Sequence, residues 1–293
     1  MIYTHAWVIV AAILALTPLL LFGFAGERCV GLLVRQPLAL RLLLPAVSVI
    51  PYLLVCWPLH LLRVGWLALY LLLPIAVAAL LAMAAKLDPQ KRGHALDFLV
   101  LFALGLAVDL RWFEPAWPHA LVAINKVLLL DTGLYGFHVI RKLDGVGFDL
   151  RWRLTDWKTG LRELLFYMPI AVALGLAISF LHWHGHITRP WLLPGIWLFT
   201  YLLIALPEEI FFRGWMQNLF ERRIGRTASL AVTAVLFGLS HFNKRAVHFN
   251  WRYVLLAAIA GIFYGRAWRS DRRIAASSIT HACVDTLWGA LLR

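Results

Sequence analysis

Residues 197–220 read WLFTYLLIALPEEIFFRGWMQNLF, an apolar stretch that three ionisable side chains interrupt near its centre. A transmembrane helix needs about 20 consecutive, mainly apolar residues, so this stretch is long enough to span a bilayer. A charged side chain near the bilayer centre costs roughly 3 kcal/mol. Glu208, Glu209 and Arg213 are therefore candidate functional residues rather than residues kept for packing.

The composition of the whole chain is that of a membrane protein. The 293 residues are 62% hydrophobic and 15% charged, whereas soluble domains are about 45–50% apolar and about 25% charged. We predict an all-α fold, a polytopic transmembrane helix bundle of about 8–10 spans. The predicted spans are 6–24, 42–60, 64–85, 94–110, 120–140, 161–181, 191–220, 227–244, 252–267 and 274–292.

A polar segment divides the predicted bundle into two parts. This segment, residues 141–160, is predicted to be an interfacial connector. It contains a Gly-containing turn signal at 144–147. We predict an N-terminal accessory transmembrane bundle over 1–140 and a catalytic transmembrane core over 161–293, because the ionisable residues that form a constellation all follow the connector. Residues 6–24 lack a basic flank at their N-terminal end, so we interpret them as an uncleaved first span rather than a signal peptide.

The net charge of +13 is explained by orientation in a membrane. Lys and Arg concentrate in loops that stay in the cytoplasm, and in this chain most of them fall in alternate loops. We therefore predict an integral, multi-pass protein with its N-terminus outside and basic loops in the cytoplasm, in contact with lipid and not with nucleic acid. Cys29, Cys56 and Cys283 show neither metal-ligand spacing nor a disulfide framework.

Two predicted antiparallel helices bring Glu208 and His241 to the same depth. Residues 222–226 form a basic turn between them. At 1.5 Å per residue, both side chains lie about 21–23 Å from that turn. Phe237 precedes His241 by one helical turn and is expected to pack against the imidazole, and Gly238 permits a close helix approach.

The two adjacent glutamates are predicted to differ in role. Glu209 and Arg213 are four residues apart and share a helix face, whereas Glu208 is rotated about 100° away. Arg213 most simply neutralises Glu209 and leaves Glu208 available. Pro207 removes a backbone donor just before the pair, so we expect a kink or local unwinding there.

The last span contributes His281 and Asp285, again four residues apart on one face. An Asp one turn away can orient a histidine ring and fix its tautomer. His281 lies only about 12 Å beyond Arg273, so a tilted helix or one that starts below the membrane surface is needed to bring it level with Glu208. Asp97 and Asp109, in the N-terminal half, are interpreted as near-interfacial residues.

Glu208 beside a histidine can activate water as a general base, and a second histidine with a polar partner can stabilise an oxyanion. The chain contains no HExxH and no GxSxG motif. The residues together predict a water-activating hydrolase site within a membrane.

The three motifs Glu208-Glu209-x-x-x-Arg213, Phe237-x-x-x-His241 and His281-x-x-x-Asp285 occur in this order on late spans. The pattern resembles the CAAX-prenyl-protease and bacteriocin-processing family of intramembrane proteases over about residues 160–293. The resemblance implies a glutamate-dependent endopeptidase with no metal or other cofactor, in which Glu208 and His241 activate water while His281 and Asp285 lie at the oxyanion. Eukaryotic-type prenyl proteases carry Asn where this chain has Asp285, so Asp285 is expected to orient His281 instead.

The predicted substrate is a membrane-associated or lipid-modified peptide or protein. Three alternatives remain at the level of sequence. Glu208, His241, His281 and Asp285 form a possible mixed nitrogen and oxygen ligand set for a metal. The second alternative is a non-catalytic scaffold or immunity-type protein. The third is a transporter with a proton-relay carboxylate.

Overall fold

The computed structural model describes residues 5–183 and 189–292. Long helices occupy these ranges, no β-strand occurs within them, and each predicted span overlaps one helix, with ends that differ by several residues in places. The all-α, polytopic fold class is thereby confirmed. In chain order the helices are α1 (Ala6–Val34), α2 (Leu38–Cys56), α3 (Val64–Leu87), α4 (Ala95–Asp109), α5 (His119–Ile140), α6 (Leu154–Ala177), α7 (Pro190–Ile224), α8 (Arg226–Leu239), α9 (Trp251–Asp271) and α10 (Ile274–Leu291).

Six of these helices are long and apolar enough to cross a membrane, namely α1, α2, α3, α5, α6 and α7. Helix α8 is apolar but shorter. The six candidate spans are fewer than the about 8–10 predicted, because the remaining helices are shorter or carry more polar side chains. The polar side chains of α10 include the candidate site residues.

The chain divides into two compact units, Met1–Asp144 and Gly145–Arg293. In the first unit Arg141, only 1% exposed, pairs with Asp97 and Asp88 at 2.7 Å each. Asp97 is fully buried within the protein, and its position relative to the membrane surface stays a prediction. The Arg141 guanidinium stabilises the buried Asp97 carboxylate, because it forms paired hydrogen bonds with it.

The second unit begins with an irregular segment that ends at Arg153, earlier than the predicted connector limit of 160. Helix α6 starts at Leu154 because the Asp156 carboxylate accepts the Arg153 N–H at 2.8 Å, which satisfies a donor at the helix N-terminus. The indole N–H of Trp152 donates to the Tyr201 hydroxyl at 2.9 Å. This bond ties the irregular segment to α7.

Helix α8 ends at Leu239, several residues before the predicted limit of 244. The Ser240 hydroxyl donates to the Phe237 carbonyl at 2.8 Å, and the His241 N–H donates to the Gly238 carbonyl at 3.0 Å. These bonds close the last turn of the helix. His241 therefore lies in the turn that follows α8 and not within a helix.

Small residues allow α8 and α9 to pack closely. A Cβ atom added at Gly238 would lie 2.5 Å from the Val254 carbonyl oxygen and 2.7 Å from Ala258 Cβ. At Gly261 a Cβ would lie 3.0 Å from Ala234 Cα. Such close backbone approach is a common basis of helix packing in membranes.

Replacing Gly238 with Ala is expected to destabilise the protein by about 1–3 kcal/mol, because the methyl group meets backbone that cannot move aside. Gly195, a helical glycine of α7 with nothing within 4 Å of its added Cβ, is the matched control. Gly195→Ala should stabilise the helix by about 0.5–1 kcal/mol. Unfolding of both purified variants in mixed detergent micelles measures the difference, and equal effects of the same sign would contradict the packing account.

Candidate functional site

The segment around Glu208 is helical but irregular. Residues Tyr201–Ala205 and Ile210–Gln217 form π-helical turns on either side of the short α-helical stretch Leu206–Glu209. Pro207 has no N–H for the usual bond, and the widened turns accommodate this loss without a break. The chain thus stays helical through Pro207, where a kink or local unwinding was expected, and the flanking π-helical turns are a feature that is frequent at functional sites.

Glu209 and Arg213 form the predicted ion pair. Arg213 Nη1 lies 2.8 Å from Glu209 Oε1, and both side chains are fully buried. The second terminal nitrogen of Arg213 donates to the Gly261 carbonyl at 3.1 Å. The guanidinium also lies 4.5 Å from the ring centroid of Phe237, within cation–π range.

Glu209 has a second partner that the sequence did not indicate. His281 Nδ1 lies 2.9 Å from Glu209 Oε1, the oxygen that Arg213 also contacts. Because the carboxylate accepts this bond, Nδ1 carries the proton and Nε2 is directed elsewhere. The Tyr264 ring stacks on the imidazole at a centroid distance of 4.6 Å. The direct hydrogen bond to the His281 ring thus comes from Glu209, whereas Asp285, which was expected to orient the ring, lies 3.6 Å from Nε2.

The Nε2 atom of His281 lies near two further carboxylates. Asp285 Oδ2 is 3.6 Å away and Glu208 Oε2 is 3.9 Å away, both beyond a direct hydrogen bond. Glu208 and Asp285 therefore flank the same nitrogen from different helices. A proton on Nε2 makes the ring cationic, and the surrounding carboxylates stabilise that charge.

The second histidine, His241, is held by the end of α8. Its Nδ1 lies 2.8 Å from the Phe237 carbonyl oxygen, an obligate acceptor, so Nδ1 donates. The neutral ring then has an unprotonated Nε2 that can accept a proton. The Phe237 ring lies 5.0 Å from the His241 ring and 5.6 Å from the His281 ring, which confirms the expected packing of Phe237 against the His241 imidazole.

Glu208 is the more accessible glutamate. Its side chain is 27% exposed, and its Oε1 lies 3.7 Å from the Lys244 ammonium. Its Oε2 has no hydrogen-bond partner in the described part of the chain. His241 is close enough to interact electrostatically with the Glu208 carboxylate. Sequence analysis missed Lys244, although its position three residues after His241, in the same turn, was an available signal.

A cavity of about 60 Å³ adjoins the two histidines. His241, His281 and Asp285 line it together with the rings of Tyr253 and Tyr264. One water occupies about 30 Å³ in the liquid, so the cavity has room for about two. The polar side chains can hold water at this position.

His281 reaches Glu209 although the sequence placed it too close to the membrane surface. That estimate used Arg273 as a surface marker, and Arg273 is only 6% exposed. It pairs with Asp156 at 2.7 Å and Asp149 at 3.2 Å. Helix α10 therefore starts in the protein interior, and it brings His281 within 2.9 Å of Glu209 and 3.9 Å of Glu208.

Burial alone would raise the pKa of Asp149, but hydrogen bonds from Arg151 and Arg273 outweigh it and lower the pKa below its ordinary value. Asp149 therefore stays ionised at neutral pH.

Sequence analysis left open a metal bound by Glu208, His241, His281 and Asp285. Among residues 5–183 and 189–292, no three His, Cys, Asp or Glu side chains form an arrangement that could hold a metal ion. Elemental analysis of the purified protein is the test of that alternative.

Fold and site together define a polytopic helical membrane protein with a buried glutamate–histidine cluster. Residues 189–287 match the family model described as Rce1-like, type II CAAX prenyl endopeptidase. This match confirms, for that segment, the family resemblance based on the three motifs. No curated protein and no solved structure matches the chain. The family match and the apolar helices support an intramembrane protease.

Proposed function

We propose that this protein is an intramembrane endopeptidase that hydrolyses peptide bonds of membrane-associated or lipid-modified, CAAX-like substrates. The observation that carries the proposal is the unequal environment of the two glutamates. Glu209 is fully buried and bonded to Arg213 and His281. Glu208 is partly exposed, with one oxygen lacking a hydrogen-bond partner among the described residues. Glu209 also has one oxygen without a hydrogen-bond partner among the described residues, but only the Glu208 side chain is partly exposed, so Glu208 is the glutamate that water can reach.

In the proposed reaction, Glu208 takes a proton from water as general base while the water oxygen attacks the substrate carbonyl carbon. His241 supports this step, because its Nδ1–H is fixed to the Phe237 carbonyl and its Nε2 can accept a hydrogen bond from the same water. The carbonyl oxygen becomes an oxyanion. The C–N bond then breaks, and Glu208 returns the proton to the leaving amine. The products are a carboxylic acid, which releases its proton to solvent or to the amine, and an amine, and the sequence of steps uses no cofactor.

The oxyanion requires positive charge or donors placed before the reaction. We assign this role to protonated His281, which donates from Nε2, and to the Lys244 ammonium beside Glu208. Asp285 is a positioning residue, because a carboxylate 3.6 Å from Nε2 stabilises the imidazolium but is a poor donor to an oxyanion. Asp285 thus stabilises the imidazolium through its negative charge, which the neutral side chain of an Asn lacks.

The substrate reaches the site from within the membrane or from its surface. The family description names a prenyl endopeptidase, and lipid-modified proteins are concentrated in bilayers. We further propose that the N-terminus faces outside and the basic loops face the cytoplasm, because basic loops are retained there.

Membrane proteomics of cells that carry the wild type or Glu208→Ala tests the proposal. At least one membrane-associated precursor is expected to accumulate in the variant, together with loss of its shorter product. Expression of Glu208→Ala at the wild-type level is the necessary control. No accumulating precursor, with the protein's biological activity retained in the variant, would contradict an enzyme and favour a scaffold or immunity-type protein.

A further inference from the structure

A larger cavity of about 350 Å³ adjoins the site cavity in the second unit. Two of its lining residues, Phe180 and Trp288, also line the cavity that contains His241 and His281. Its other lining residues are Ser179, Arg245, Ala246, Asn250 and Arg252. No Asp or Glu is among the described residues that line it, so we call it the basic cavity.

Neither arginine of the basic cavity has a carboxylate partner in the part of the chain that the structure describes. The Arg245 guanidinium lies 4.2 Å from the Trp288 ring centroid. Arg252 Nη1 donates a long bond of 3.5 Å to the Ser179 carbonyl. Each guanidinium has five N–H donors, so most of them remain available. Arg245 acts electrostatically on Asp285, which lines the adjoining cavity, but neither arginine forms an ion pair with a described carboxylate. Two guanidinium groups on one cavity without a paired carboxylate favour an anionic ligand.

The turn that carries His241 also fixes Arg245 in place. The Asn250 N–H donates to the Phe242 carbonyl at 2.8 Å, and the Asn250 side chain donates to the Lys244 carbonyl at 3.1 Å. Arg245 itself has φ of 59°, in the left-handed region. Such a conformation costs on the order of 1–3 kcal/mol and is often found at ligand clamps. The same turn thus carries His241 of the site cavity, Lys244 beside Glu208 and Arg245 of the basic cavity.

We propose that the basic cavity binds a carboxylate of the substrate, from its C-terminus or a side chain close to the scissile bond. This inference rests on the proposed peptidase function. The shared wall of Phe180 and Trp288 favours a substrate group over a lipid headgroup, because a peptide at His241 and His281 can continue directly past this wall. A carboxylate would form charge-assisted hydrogen bonds with both guanidinium groups.

Peptide binding to the full-length Glu208→Gln variant tests this site without turnover. The probe is a short apolar peptide with a free C-terminal carboxylate, compared with its C-terminal amide, and a second pair that carries Glu or Gln internally. Isothermal titration in nanodiscs of zwitterionic phosphatidylcholine should show about tenfold tighter binding of one acidic member than of its neutral partner. Arg245→Gln and Arg252→Gln, each added to this background, should reduce that ratio to below about threefold.

The matched control is Arg223→Gln, because Arg223 is an exposed arginine of α7 outside both cavities. It should leave the ratio of acidic to neutral peptide binding at the value of the Glu208→Gln background. Arg245→Lys should keep part of it, since the charge remains. Equal binding of acidic and neutral peptides would overturn the proposal, as would equal effects of Arg245→Gln and Arg223→Gln. If the arginine variants instead reduce only the binding of anionic lipid, the cavity binds a headgroup and the proposal fails. Absence of hydrolysis by the wild type would contradict the peptidase function but not this binding comparison.

Discussion

The Glu208→Gln variant is expected to lose peptide hydrolysis by roughly 10²- to 10⁴-fold in kcat, the usual contribution of a general base. Gln keeps the size of the side chain but cannot accept the proton of water. The fold should be retained, because the Glu208–Lys244 pair is partly exposed and such pairs contribute about 0–1 kcal/mol. Steady-state kinetics on a cleaved peptide, together with thermal unfolding of the same preparation, measures both effects.

Glu114→Gln is a closely matched control. The Glu114 side chain is 24% exposed and its carboxylate lies 3.5 Å from the Lys126 ammonium, an environment close to that of Glu208. It belongs to the first unit. Its substitution should leave kcat within about twofold. A Glu208→Gln variant that retains more than about a tenth of wild-type kcat would rule out Glu208 as the general base.

The Arg213→Met variant is expected to lose about 3–5 kcal/mol of unfolding free energy, because it leaves the fully buried carboxylate of Glu209 without its cation. Met fills a similar volume, so the loss of unfolding free energy measures the effect of the removed charge and not that of an empty space. The double variant Glu209→Gln with Arg213→Met should recover part of this loss, since both charges of this ion pair are then removed together. Unfolding curves of the single and double variants measure the coupling.

The same pair is connected to the active-site proposal through His281. Glu209→Gln should weaken the bond that holds His281 Nδ1 and should lower kcat less than Glu208→Gln does. A loss below about 1 kcal/mol for Arg213→Met would show that the pair is not structural. A kcat effect of Glu209→Gln as large as that of Glu208→Gln would contradict the separation of roles.

Local rules predicted the contacts that lie within one helix. Glu209 and Arg213 are four residues apart, so helix geometry alone brings them together. Phe237 and His241 are also four apart, and the turn that closes α8 keeps them in contact although His241 lies beyond the helix. The helical fold followed from composition, because a bilayer requires each backbone polar group to be bonded within its segment. These predictions needed no information about how the helices pack.

The contacts that required tertiary structure could not be predicted. The bond between His281 and Glu209 joins residues far apart in the chain. The burial of Arg273 depends on Asp149 and Asp156 in the segment before and at the start of α6. Lys244 reaches Glu208 because α8 ends at Leu239 and the chain turns back. Charge and helix periodicity do not predict where a helix ends and the chain turns back toward a neighbouring helix.

Single-turnover hydrolysis in water labelled with heavy oxygen tests the central claim most directly. The account has Glu208 activate a water whose oxygen enters the substrate carbonyl. One labelled oxygen is therefore expected in the new C-terminal carboxylate of the product, and none in the Glu208 side chain. Mass spectrometry of the product and of the digested protein distinguishes the two positions. Label in the Glu208 carboxylate would show a covalent acyl intermediate on that residue and would contradict the general-base account.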